Sequence, residues 1–220
     1  MGGVFTSLES DTFHALPGHF DNNNMVKLLA GTDNKIYVCG DFITIDAKTV
    51  NKIARWNPNA NTWEALTFNT NHYGLDQNPF SLWTIQSMIL DWDNTIVVCG
   101  FFSNKFESDC PIQYIGRWHE NGINSYWEDL GIGLIGSMNI SRIAYHPITH
   151  DFYAYGPVFD NNTFLRQENN TSWRSFGETP FPQVNIQAMA FDAKGNLYVG
   201  GYFSRIGGVQ ANNIAKWAKK

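Results

Sequence analysis

One short phrase is written four times along this chain, and such recurrence constrains a fold more than any single residue does. It reads IYVCGDF at Ile36–Phe42, IVVCGFF at Ile96–Phe102, FYAYGPVF at Phe152–Phe159 and LYVGGYF at Leu197–Phe203. Each copy follows a hydrophobic run and a turn rich in Asp or Asn. A unit repeated in this way cannot bury its apolar face alone and needs its neighbours stacked against it. The glycines Gly40, Gly100, Gly156 and Gly201 stand 60, 56 and 45 residues apart, so the loops vary while the core phrase is kept.

The strands follow from the phrase. A first strand precedes each copy: Met25 to Ala30, Ile85 to Leu90, Ile140 to Tyr145 and Ile186 to Phe191. The intervening Asp, Asn and Gly residues supply the backbone angles of a tight hairpin. The phrase is the second strand. A third alternates as a half-buried strand should, in Asn51–Trp56 (NKIARW), Gln113–Trp118 (QYIGRW) and Asn212–Trp217 (NNIAKW), with only Thr163–Arg166 at this place in the third unit. A fourth reads Thr62–Leu66 (TWEAL), Tyr126–Leu130 (YWEDL) and Ser172–Phe176 (SWRSF). Four short antiparallel strands per unit define a propeller blade.

The fourth unit lacks its outer strand after Trp217, while Thr12-Phe13-His14-Ala15-Leu16 near the N-terminus matches TWEAL with Phe for Trp. The reading is therefore an all-β, four-bladed propeller. Its blades span about 25–66, 85–130, 140–176 and 186–217 plus 12–16, and the N-terminal strand closes the ring and hides its edges. The pattern G-G-x-F, a turn, N-I-A-x-W and W-x-x-L resembles the repeats of kelch-like and galactose-oxidase-like propellers. Its clearest copy is Gly200-Gly201-Tyr202-Phe203, Gly207-Gly208 and Asn213–Trp217. The resemblance covers nearly the whole chain at the level of fold, which many unrelated activities share. The copper ligands of galactose oxidase have no counterpart here, and the Asn-rich style resembles propellers encoded by AT-rich genomes, large DNA viruses among them.

Chemistry-bearing motifs are missing: there is no P-loop, G-x-G-x-x-G, G-x-S-x-G, H-E-x-x-H or C-x-x-C. His146 and His150 bracket a turn with only Asp151 beside them, which reads as a turn before it reads as a metal site. The repeated tryptophans are assigned to packing between blades. Cys39 and Cys99, at equivalent places in adjacent blades, are assigned to packing as free thiols too far apart to bond. No cofactor is expected. Small propellers such as hemopexin-like domains hold ions in the axial channel through carbonyl oxygens, and likeness in blade number implies a hard cation there.

The loops carry the functional expectation. The longest, Thr67 to Thr84, holds His72, Tyr73, Phe80 and Trp83; the next interblade loops hold Ile132, Leu134 and Ile135, and then Phe181. Exposed together, these residues would form an apolar patch for a protein partner; folded back, the 67–84 loop would instead plug the central opening. The expectation is a noncatalytic interaction or scaffold module. A carbohydrate-binding or carbohydrate-active propeller is the alternative, and it requires acidic groups converging beside exposed aromatics; Asp76, Asp91, Asp93, Glu107 and Asp109 are the candidates.

A net charge of −5 gives no basic footprint for nucleic acid. With no apolar run of about 18 residues and no signal-like N-terminus, a soluble, intracellular chain without stable membrane insertion is expected. Met1-Gly2-Gly3-Val4-Phe5-Thr6 fits the N-myristoylation pattern at Gly2, but it also reads as a remnant of the repeat phrase, and a single acyl chain holds a membrane only marginally.

Overall fold

The computed structural model describes residues 15–22, 25–68, 72–75, 84–103, 112–132, 134, 139–158, 161–168, 172–176 and 184–218. In chain order the strands are β1 (Met25–Ala30), β2 (Ile36–Gly40), β3 (Thr44–Ile45), β4 (Lys48–Thr49), β5 (Ile53–Asn57), β6 (Thr62–Ala65), β7 (Thr67–Phe68) and β8 (His72–Tyr73). Then come β9 (Thr84–Leu90), β10 (Ile96–Ser103), β11 (Gln113–His119), β12 (Tyr126–Asp129), β13 (Arg142–Tyr145), β14 (Phe152–Val158), β15 (Asn161–Glu168) and β16 (Ser172–Ser175). The last are β17 (Asn185–Phe191), β18 (Leu197–Tyr202), β19 (Arg205–Ile206), β20 (Val209–Gln210) and β21 (Ile214–Trp217).

These strands build antiparallel sheets in the order β1-β2-β5-β6, β9-β10-β11-β12, β13-β14-β15-β16 and β17-β18-β21, with three two-stranded hairpins beside them. The first strands adjoin one another, β9 between β1 and β13, and β13 between β9 and β17. Among the described residues no helix is long and apolar enough to cross a membrane.

The repeated glycine now has a physical reason. A Cβ on Gly100 would lie 2.0 Å from the carbonyl oxygen of Thr84, on Gly156 2.4 Å from that of Asn139, and on Gly201 2.1 Å from that of Asn185. At each place the first strand crosses so close to the second that no side chain fits, and at Gly100 the register shifts in a bulge. The hairpin turns repeat as well. Oδ1 of Asp91 accepts the Thr95 N–H at 3.0 Å, and Oδ1 of Asp192 accepts the Asn196 N–H at 2.9 Å. In the third sheet His146 takes the aspartate's part, its Nδ1 accepting from the Ile148 and Thr149 N–H groups.

Successive sheets pack face to face with the same register. Tyr37, Cys39 and Ile53 of sheet one meet Met88, Ile96, Val98, Trp118 and Trp127 of sheet two. Val97, Cys99 and Ile115 meet Ile143, Phe152, Ala154 and Leu165 of sheet three. Tyr153, Tyr155 and Phe164 meet Ile186, Leu197 and Val199 of sheet four. Cys39 and Cys99 are buried free thiols, as expected from their equivalent places.

Among the described residues the row does not close on itself. Leu28 on β1 is 65% exposed and Ile214 on β21 is 66% exposed, so the outer face of the first sheet and that of the last are open where they face away from their neighbours. The fourth sheet has three strands among the described residues. Of the expected closing strand, Thr12, Phe13 and His14 lie outside the described residues, as do Gly2 and Cys110; Ala15 and Leu16 are exposed and unpaired to any strand. The segment that follows them lies on sheet one, where Trp63 Nε1 donates to the carbonyl oxygen of Pro17 at 2.7 Å and Phe20 packs edge-on against Trp63.

Candidate binding surfaces

The long interblade segment begins as a small hairpin, β7 paired with β8, with Phe68 opposite His72. The hairpin turns back against the outer part of sheet two. Phe68 is buried beside Trp118, and the His72 ring stacks on it at 5.2 Å. Asn51 Nδ2 donates to the Tyr73 carbonyl oxygen at 2.8 Å, and Trp127 Nε1 to that of Gly74 at 2.8 Å. Gly74 holds φ +67°, and a Cβ there would strike the backbone oxygens of Val50 and Asn51, so the segment can turn here only with glycine.

Of the residues expected to form the apolar patch, His72 and Tyr73 are therefore half-buried in a knitted join. Tyr73 also lines a cavity of about 300 Å³ with Ile45, Lys48, Val50 and Trp63. Ile132 is 53% exposed, whereas Leu134 is only 6% exposed and packs in the core between sheets two and three. Leu134 thus offers no surface, because its apolar side chain fills the seam that its loop crosses. Phe80, Trp83, Ile135 and Phe181 lie outside the described residues, as do Asp76, Glu107 and Asp109.

A second surface lies at the other end of the strands, in the β9–β10 turn. Trp92 is 45% exposed. Its ring stacks on His150 at 5.3 Å and leans on Tyr145 at 6.0 Å, both from the third sheet, while the Arg117 guanidinium lies 4.3 Å from its centroid. Beneath it Arg117 gathers carboxylates: Nη2 donates to Asp93 at 2.6 Å, and Nη1 lies 3.6 Å from Glu128. Nε sits 2.6 Å from Asp91 Oδ2, close enough for an ion pair but out of line for a hydrogen bond.

Burial pushes the Asp91 carboxyl up to about 6, with the neighbouring Asp93 adding to the rise against the Thr95 N–H and Arg117. The hydrogen bond shared with Asp91, then Thr95 and Arg117, hold Asp93 well below the usual carboxylate range. Two carboxyls pushed apart in this way can divide acid and base roles, but the Asp91 side chain is wholly buried. Of the two, only Asp93, about half exposed, reaches the surface.

Sequence reasoning read W-D-N-T as a turn and did not single out Trp92 or Arg117. The signal was a basic residue at one register position of every third strand, one place before the tryptophan in sheets one, two and four. Arg55 lies opposite Tyr37, Arg117 opposite Val97, Arg166 opposite Tyr153 and Lys216 opposite Tyr198. Arg55 joins sheets by donating from Nη1 and Nη2 to Glu120 at 2.8 and 2.9 Å. No cluster of three or more His, Cys, Asp or Glu able to hold a metal occurs among the described residues.

Twisted antiparallel sheets stacked through their faces, each with the same register, make this fold a β-propeller. The sequence profile of a β-propeller domain of unknown function, DUF5122, matches residues 31–59 and 195–216. No curated protein sequence matches the chain. Among solved structures, a catalytically inactive virginiamycin B lyase from Staphylococcus aureus with quinupristin is similar at 14% identity and a TM-score of 0.53, over 90% of this chain and 57% of that one. The extracellular domain of a B. thetaiotaomicron protein described as a one-component system has the same identity and TM-score, over 89% of this chain and 21% of that one. A protein described as a gluconolactonase is 10% identical with a TM-score of 0.50, over 80% of this chain and 57% of that one. The chain thus spans from about a fifth to somewhat over half of the length of these relatives in fold, and at such identities the likeness is one of fold.

Proposed function

We propose that the chain is a noncatalytic protein-interaction module: four blades of a kelch-like ring whose seam is closed by strand 12–16 added to β21, with the interblade loops presented to a protein partner. The observation that carries this reading is the division of labour among its groups. The arginines and carboxylates of the blades are spent on joins such as Arg55–Glu120, while Ile132 stands 53% exposed on an interblade loop and Tyr73 lines a cavity of about 300 Å³. Apolar surface of this kind at a loop rim fits a protein partner. Affinity capture with the native chain and with Tyr73, Phe80, Trp83 and Ile132 replaced by Ala tests it. A partner retained by the first and lost by the second, with unchanged circular dichroism, supports the reading; equal capture by both contradicts it.

A second reading, carbohydrate binding, is favoured by one observation: a half-exposed Trp92 with the ionised Asp93 beside it, an apolar platform next to an acceptor for sugar hydroxyls. A glycan array with native and Trp92→Ala protein separates the two. Binding lost on substitution favours the sugar, and an empty array removes it.

A further inference from the structure

The join between sheets two and three carries a ring over its arginine. Arg117 is held through its three nitrogens by Asp91, Asp93 and Glu128, and its guanidinium carbon lies 4.3 Å from the centroid of Trp92. The same ring stacks on His150 of sheet three. Arg55, at the register equivalent in the join between sheets one and two, repeats only the first half of this arrangement. Its Nε donates to Glu64 at 2.9 Å, and Nη1 and Nη2 donate to Glu120 at 2.8 and 2.9 Å. The rings are replaced. Trp92 stands four places before Ile96, where β10 begins, and the residue four places before Ile36, where β2 begins, is Thr32. His150 stands two places before Phe152 with φ +64°, and its counterpart before Ile96 is Asn94 with φ +63°. Among the described residues no ring lies over Arg55.

A cavity of about 250 Å³ stands in that place, lined by Thr32, Tyr37 and Arg55 from sheet one and by Asn94, Thr95 and Trp118 from sheet two. A cavity of about 150 Å³ can hold benzene, so this one has room for a bicyclic ring. The charges on its wall cancel, Lys35 and Arg55 against Asp33 and Glu120. They are also paired with one another, Lys35 3.8 Å from Asp33 and Arg55 on both oxygens of Glu120. An ionic ligand therefore meets no free opposite charge. A neutral ring gains the attraction of the Arg55 guanidinium for its face and leaves both pairs intact. At the edge of the cavity the hydroxyls of Thr32 and Thr95 and the Asn94 carboxamide make no side-chain hydrogen bond among the described residues, so a ring N–H or ring nitrogen finds partners there.

We infer that the cavity between sheets one and two binds a neutral, planar heteroaromatic ring of about indole size, laid over Arg55 as Trp92 lies over Arg117, with its polar edge toward Thr32 and Asn94. The molecule supplies this ring itself in one join and leaves room for it in the other. The apolar cavity of sheet four, about 270 Å³ and lined by Phe176 and Trp217, has no arginine on its wall. The site shares no lining residue with the loop rim of Tyr73 and Ile132, and it stands whether or not that rim takes a partner.

Heteronuclear NMR of the labelled chain titrated with indole tests the inference. The amide signals of Thr32, Asn94 and Thr95 and the Arg55 Nε–H signal should shift and saturate with a Kd on the order of 1 mM. Thr32→Trp plants the ring that Trp92 supplies in the neighbouring join, and it should abolish these shifts with the rest of the spectrum unchanged. Asn94→Gly, which the positive φ tolerates, should weaken binding roughly 2–10-fold through one lost hydrogen bond, and it carries the test if Thr32→Trp does not fold. N-acetyltryptophanamide titrated beside indole distinguishes the source of the ring: binding of both supports a ring that a peptide can present, and binding of indole alone supports a free small molecule. Native signals that do not move overturn the inference. So do shifts that persist in folded Thr32→Trp, an equal Kd in Asn94→Gly, or shifts confined to the Phe176 and Trp217 cavity.

Discussion

The indole N–H of Trp127 donates to the carbonyl oxygen of Gly74 at 2.8 Å, inside the join between the first two sheets. Trp63 with Pro17 and Trp173 with Leu130 make the same bond at the corresponding joins. The outer-strand tryptophan thus latches each of the first three sheets to the segment that enters it. Trp127 is 4% exposed, so Trp127→Phe leaves a buried carbonyl unsatisfied and should cost about 1–3 kcal/mol. Trp127→Ala adds a cavity and should cost about 3–5 kcal/mol. Urea titrations give both values, and equal midpoints for native and Phe variants would remove the latch.

The pair Arg55–Glu120 should stabilise the same join by an electrostatic contribution. Burial pushes the Glu120 carboxyl up, but hydrogen bonds from Arg55 and Trp118 outweigh it and hold the group below the usual range. A carboxyl depressed on folding contributes stability that is present above its unfolded pKa and is lost as pH falls through the folded one. Glu120→Gln should therefore flatten the acid limb of the stability curve. With Arg55→Met in a double-mutant cycle the coupling should be about 1 kcal/mol, discounted because Glu120 is half exposed.

Asp91 acts in the opposite sense. Its folded pKa, raised to about 6 by burial and by Asp93, means that the folded chain holds a proton which the unfolded chain has released. Its contribution is present below about pH 4 and is lost as pH rises to about 6. Asp91→Asn can keep accepting the Asp93 and Thr95 N–H groups through its side-chain oxygen, and should remove this slope between pH 4 and 6. Melting temperatures across that range check it.

Burial pushes the Cys39 thiol up to about 12 and the Cys99 thiol higher still. Neither should form thiolate at pH 8 in the folded protein. A Cys110→Ser variant should give no reaction with a thiol reagent until denaturant is added, and then two equivalents.

Much of this architecture was legible in the chain because packing repeats. The first strand Met25–Ala30 is legible to the residue and the other strands of the four sheets within about three residues, since apolar alternation and Asp or Asn turns are local signals, whereas the short hairpins such as β3–β4 and β19–β20 are not. Gly100 and Gly156 were visible as a phrase, although the reason, a carbonyl within 2.4 Å of any Cβ, exists only in three dimensions. The candidate surface residues were harder. Ile132 and Leu134 look alike in sequence, yet one is exposed and the other buried, because a loop's apolar residues are sorted by which seam they cross. Trp92 was hidden by its turn, whose exposure depends on His150 and Tyr145 from the next sheet. The exposure of Leu28 and Ile214, each about two-thirds, ran against the expected closed ring, because strand patterns do not record which sheet faces are covered.

The proposed closure of the seam is tested most directly by hydrogen exchange at the amides of Ile214–Trp217, the strand to which the proposal adds residues 12–16. The account predicts that all of these amides are protected in the native chain and that those turned away from β18 lose protection in Phe13→Asp. Outward amides of β21 that exchange in the native chain as fast as an unpaired edge would contradict it.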